Sequence, residues 1–172
     1  MLPERSIAAL ENATIWPKGV LFHRDPVPSR LMRNAWAARK RATLEGAETI
    51  FLDPDNGLGT ETARHATFSE VRLLRRPGRA IVFITFPGRS MPHRALVQRL
   101  HERLSIEAGA GAIITLRMNV AAPRTLGSPF DVQRQRWFTV VDPDAELIAR
   151  ARIFADALAS VPRVRARLES RT

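Results

Sequence analysis

Thr49-Ile50-Phe51-Leu52-Asp53-Pro54-Asp55-Asn56-Gly57-Leu58 is the stretch on which the reading of this chain turns. A short apolar run ends abruptly in two acids, an amide and a glycine, the pattern of a buried strand entering a tight loop. Ligands of open α/β sheets bind in the crevice outside the carboxyl ends of the strands. The stretch therefore marks where a site belongs. Pro54 stiffens the backbone after Asp53, and Gly57 permits a positive φ. Two carboxylates two residues apart can share a divalent cation such as Mg²⁺, with waters completing the shell. They can instead divide nucleophile and acid/base roles. The same composition also makes an ordinary turn, in which Asx side chains bond their own backbone.

Outward from this strand, the pattern alternates. Ser29 is placed to cap a helix over residues 30–45, with Leu31, Ala35, Ala38, Ala42 and Leu44 at roughly helical spacing and Gly46 ending it. A short helix is expected over residues 68–75, closed by Pro77-Gly78. The second strand, residues 80–86, is apolar throughout, as suits a strand covered on both faces. A helix over residues 92–108 carries Leu96, Val97, Leu100 and Leu104 on one side and Arg94, Gln98, His101, Glu102 and Arg103 on the other. A third strand spans residues 112–118 and a fourth residues 136–141. The segment between them holds Pro123, Gly127 and Pro129 and has no helical run. A parallel crossover needs a dozen or more residues, usually as a helix, so these two strands are expected to form an antiparallel hairpin. A last helix follows over residues 143–158.

The expected fold is thus a single α/β domain over residues 1–172, three-layered, with a mostly parallel sheet and an antiparallel C-terminal hairpin. Residues 1–28, rich in proline, are expected to be irregular, with residues 19–23 as a short edge strand. Residues 162–172 read as a basic tail that frays.

Composition narrows the partners. The formal net charge is +10, and all but two of the 27 basic residues, Lys18 and Lys40, are arginine. Arginine's planar fork suits phosphate, so nucleic acid or a nucleotide is an expected partner; GC-rich codon usage would produce the same bias. There is no cysteine, and thus no disulfide or thiolate chemistry. With no signal-like start and no apolar run of membrane-spanning length, a cytoplasmic protein without a membrane partner is the expectation.

Thr85-Phe86-Pro87-Gly88-Arg89-Ser90 follows the second strand and, in a parallel sheet, faces the crevice of Asp53. Arg89 and Ser90, with His93 in the first helical turn, are candidate phosphate ligands at a helix start. Pro87-Gly88 as a turn with Ser90 as a cap is the plain structural alternative. His23, His65, His93 and His101 have no zinc-site spacing. Asp142-Pro143-Asp144 reads as a helix start with an N-capping acid. Trp16, Trp36 and Trp137 read as core residues.

Two family patterns share the opening phrase. Asp53-Pro54-Asp55-Asn56 resembles the fourth motif of class I (Rossmann-like) amino-methyltransferases, a strand followed by Asp-Pro-Pro-Tyr. The order after it, helix, apolar strand, helix and hairpin, is similar to the second half of that fold. This resemblance, over residues 49–141, implies a substrate amine at Asp53, Asp55 and Asn56 and adenosylmethionine as cofactor. Residues 1–48 hold no Gly-x-Gly turn after a strand to bind that cofactor, and no aromatic stands where the motif's Tyr would stack. Asp53-x-Asp55 also resembles the haloacid-dehalogenase-like phosphatase signature, with Ile81–Thr85 as its second motif and Asp142 and Asp144 as metal-binding acids. That pattern implies Mg²⁺ at Asp53 and Asp55, with Arg89 or Arg117 in place of a phosphate-binding lysine. The phrase through Leu58, with Phe86-Pro87-Gly88-Arg89 after the next strand, is further similar to a group of small bacterial proteins of unassigned activity. Three functions are therefore expected in turn: a methyltransferase-like protein acting on or bound to nucleic acid, a Mg²⁺-dependent phosphoesterase, and a non-enzymatic basic binding module.

Overall fold

Buried-strand patterning and hairpin pairing between them set the architecture. The computed structural model describes residues 9, 11–87, 91–121 and 133–171. After a 3-10 turn at Arg30–Met32, the elements are α1 (Arg33–Thr43), β1 (Thr49–Leu52), α2 (Phe68–Leu74), β2 (Ala80–Thr85) and α3 (His93–Glu107). They continue with β3 (Ile113–Ala121), β4 (Gln133–Val141), α4 (Ala145–Ala159) and β5 (Val164–Arg171). The strands form one mixed sheet in the order β1-β2-β4-β3-β5.

This sheet corrects the expectation of a mostly parallel one. β1 and β2 pair in parallel, while β2–β4, β3–β4 and β3–β5 are antiparallel. The expected hairpin does form, with a register running from Ile113↔Val141 to Ala121↔Gln133. β4 inserts between β2 and β3, so β1, β2 and β3 point the same way although β3 pairs with neither of the other two. The rest of the difference comes from the C-terminus. Instead of fraying, residues 164–171 form β5 on the far edge of the sheet. Val164, Ala166 and Leu168 alternate with Arg165, Arg167 and Glu169, the two-residue period of a strand. Leu168 packs with Leu147, Ile148 and Ala151 of α4. Residues 19–23, expected as an edge strand, form none. Their segment lies on α1 instead: the His23 ring stands edge-on to Trp36 at 5.4 Å, and Trp36 Nε1 donates to the Asp25 carbonyl at 3.0 Å.

Strand alternation divides the core. Ile50, Leu52, Ile81, Phe83, Ile113 and Val141 face one way, against Phe68, Val71 and Leu74 of α2 and Leu104 of α3. Ala80, Ile114 and Val140 face the other way, against α4. Each fully buried aliphatic or aromatic side chain contributes about 1.5–3 kcal/mol, which fixes the register of every strand. Among the described residues, no helix is long and apolar enough to cross a membrane.

Candidate functional site

The acidic turn sits where the strand pattern puts it, beyond Leu52 at the carboxyl end of β1. Asp53, Asp55 and Asn56 are all exposed. No ion pair or side-chain hydrogen bond engages Asp53 or Asp55 among the described residues. The turn is nevertheless held firmly. Gly57 has φ +79°, and a Cβ there would stand 3.2 Å from Thr85 Cα and Oγ1, so the turn lies directly on the last residue of β2. Asn56 N donates to Arg64 O at 2.9 Å, Ala66 N to Gly57 O at 3.1 Å, and Gly59 N to Ala66 O at 3.0 Å, closing the loop back on itself.

A buried ionic cluster anchors the far side of that loop. Arg33 Nε donates to Glu70 Oε1 at 2.6 Å, while the two ends of its guanidinium donate to the carbonyls of Thr62 at 2.6 Å and His65 at 2.5 Å. Lys40 Nζ reaches Glu70 Oε2 at 3.3 Å and lies 4.2 Å from the centre of the Trp36 ring. Burial lowers the Lys40 pKa from its ordinary value, opposed by the Glu70 charge. Glu70 also completes a capping box with Thr67 at the start of α2. This cluster explains why α1 turns a different face inward from the one its alanines suggest. Arg33, Trp36, Ala37 and Lys40 are buried, whereas Ala35, Ala38 and Ala42 are exposed. The sequence signal was the Thr67-x-x-Glu70 spacing; the arginine that pairs with Glu70 from 37 residues away had none.

Thr85, under the turn, pairs across the sheet with Trp137. His93, in the first turn of α3, stands edge-on to that indole, with centroids 5.5 Å apart. Turn, Thr85, Trp137 and His93 thus form one row at this end of the sheet. Thr85 Oγ1 is buried and finds no hydrogen-bond partner among the described residues. Trp36 and Trp137 are core residues, 5% and 2% exposed, whereas Trp16 is 38% exposed. Arg89 and Ser90, the other phosphate candidates, lie outside the described residues.

The acids of the last phosphatase-like motif do not join the row. β4 runs antiparallel, so Asp142 follows Val141 opposite Ile81 at the start of β2, while Asp53 follows Leu52 opposite Phe83. The two acids are four residue steps apart along the strands, about 13 Å, and two strands apart, about 10 Å more. Asp142 is moreover committed elsewhere. Its carboxylate accepts from Arg75 Nε at 2.5 Å and from Gly111 N at 3.0 Å. Asp144 caps α4, accepting from Leu147 N at 2.7 Å. Among the described residues, no group of three or more histidines and acids is arranged to hold a metal ion.

His101, expected on the polar side of α3, is 4% exposed. Its Nε2 lies 2.8 Å from Thr115 Oγ1, which is in turn 2.9 Å from Thr139 Oγ1. Burial, with a lesser push from Arg171, lowers its pKa to about 4. Two threonines on neighbouring strands supply the partner that lets a histidine turn inward.

No family model matches the chain, and no curated protein matches it in sequence.

Proposed function

We propose that this protein binds nucleic acid, presenting the Asp53–Gly57 turn to the amino groups of unpaired bases while its arginines neutralise phosphates. The observation that carries this reading is the pair of exposed carboxylates, without an ion pair among the described residues, seated at the carboxyl end of β1 in a chain of net charge +10. Two free acceptors in so basic a protein repel phosphate and attract hydrogen-bond donors. Adenine, cytosine and guanine carry exocyclic amines with two N–H donors each, whereas thymine has no exocyclic amine and offers only its ring N3–H.

The resemblance to the second half of the amino-methyltransferase fold supports the placement: strand, helix, strand, helix and hairpin occur here in that order. The chain's own residues do not fit adenosylmethionine. β1 is an edge strand of the sheet, so the flank on which the cofactor-binding half would stand carries no strand among the described residues. Nor does any Gly-x-Gly turn precede β1. The reading proposed is therefore one of binding. A Mg²⁺-dependent phosphoesterase would rest on Asp53 and Asp55 alone, since Asp142 and Asp144 stand at the other end of the sheet. Affinity for short single strands, measured against salt and against base composition, tests the proposal.

A further inference from the structure

The far edge of the sheet carries a second feature, unconnected with the acidic turn. A groove of about 520 Å³ runs between α3 and the β3–β5 pair, lined among others by Arg94, Gln98, Arg117, Arg167, Glu169 and Ser170. We propose that this groove is a binding site for a phosphate-bearing small molecule.

Three observations converge on it. Arg117 and Arg167 are direct cross-strand partners on β3 and β5. Like charges in that position oppose pairing, and Glu169, ion-paired with Arg117, is the one carboxylate in the lining to offset them. Arg94 and Arg167 are exposed and form no ion pair among the described residues. Three guanidiniums against one carboxylate leave the groove with a net charge of two positive. Finally, Arg117 Nε is buried and has no hydrogen-bond acceptor among the described residues. A buried donor without an acceptor calls for an ion, a water or a ligand.

Edge protection accounts for only part of this. Charged side chains on an exposed edge strand discourage pairing with another chain, and Arg165, Arg167 and Arg171 of β5 serve that purpose. Arg117 lies on β3, which has a neighbour on each side, and Arg94 lies on a helix. Neither protects an edge. Guanidinium forks match phosphate oxygens in pairs. Gln98 and Ser170 add neutral hydrogen-bonding groups. The volume falls within the range of small-molecule sites, enough for a phosphate with a sugar or base attached.

The proposal does not rest on the nucleic-acid reading and is tested separately from it. Isothermal titration of the full chain with inorganic phosphate and with thymidine monophosphate, whose base has no exocyclic amine for the acidic turn to bind, at fixed ionic strength, is expected to show binding. The R94Q/R167Q double variant is expected to weaken it by roughly tenfold or more, through loss of two charge-assisted contacts. E169Q, which removes the opposing carboxylate, is expected to tighten it several-fold, a direction that misfolding does not produce. A monophosphate that binds more tightly than phosphate would assign the site to a nucleotide, and equal affinities to a free oxyanion. Wild-type protein that takes up neither probe, or an R94Q/R167Q variant that binds like wild type, would overturn the proposal.

Discussion

Gly57 lies so close to Thr85 that a methyl group on it would stand 3.2 Å from the Thr85 α-carbon and hydroxyl. The acidic turn is therefore seated on the end of β2 rather than hanging from β1. Its carboxylates inherit the rigidity of the only parallel pair in the described sheet.

Gly57→Ala should accordingly cost more than a left-handed φ alone. The conformation costs roughly 1–2 kcal/mol for a residue with a Cβ, and the contact with β2 backbone adds to it. Gly78 is the internal control: its φ is +73°, but nothing stands within 4 Å of an added Cβ. Chemical denaturation is expected to rank the variants wild type, Gly78→Ala, Gly57→Ala in falling stability. Equal losses at the two glycines would refute the seating of the turn.

The cluster beneath the loop should be sensitive to loss of its one acid. Glu70→Gln leaves Arg33 and Lys40 buried without a counter-charge, a change that costs roughly 3–5 kcal/mol. Without the Glu70 charge, the already lowered Lys40 pKa falls further. The folded state then sheds a proton that the unfolded state keeps, so part of the loss should be regained as pH rises towards the ordinary lysine value of 10.5. Denaturation of the variant at neutral and at alkaline pH checks both sign and size.

His101 gives the fold an acid limb. Its pKa is lowered from 6.5 to about 4, so the unfolded chain takes up a proton that the folded chain refuses. Stability should fall as pH drops from 6.5 to about 4 and level off below, by roughly 3 kcal/mol in total. His101→Gln keeps a hydrogen bond to Thr115 within reach and removes the titration. The difference between wild-type and variant stability curves should follow this window; a flat difference would show that His101 does not titrate on unfolding.

Strong local signals were legible in the sequence, and long-range ones were not. β1, α2 and β2 follow from apolar runs bounded by Asp53-Pro54 and Pro77-Gly78, and Asp144 is the expected cap. The missing crossover helix between β3 and β4 correctly predicted their antiparallel pairing. β5 escaped because five of its eight residues are polar or charged; only the alternation of Val164, Ala166 and Leu168 betrayed it. α1 misled for a related reason. Its inward face carries Arg33 and Lys40, and nothing nearby in sequence announces Glu70 as their partner. Asp53, Asp55 and Asn56 were locatable because a strand end is a local event. The distance between Asp53 and Asp142 depends instead on the direction of β4 and on its insertion beside β2; the missing crossover helix implied the first, and no local signal gives the second.

The central claim is that the Asp53–Gly57 turn reads base amines on a strand held by arginines. Fluorescence anisotropy with short oligo(dC) and oligo(dT), from about 50 to about 200 mM salt, tests it most directly, since log K should fall with log salt by about 0.7 per phosphate contacted. Both oligomers should weaken with salt, and oligo(dC) should bind roughly tenfold more tightly, the worth of one hydrogen bond to a charged acceptor. In Asp53→Ala/Asp55→Ala the preference should vanish while affinity for oligo(dT) holds or rises, because two repelling charges are gone. Affinity that is indifferent to salt, or a preference for oligo(dC) that survives loss of both acids, would contradict the account.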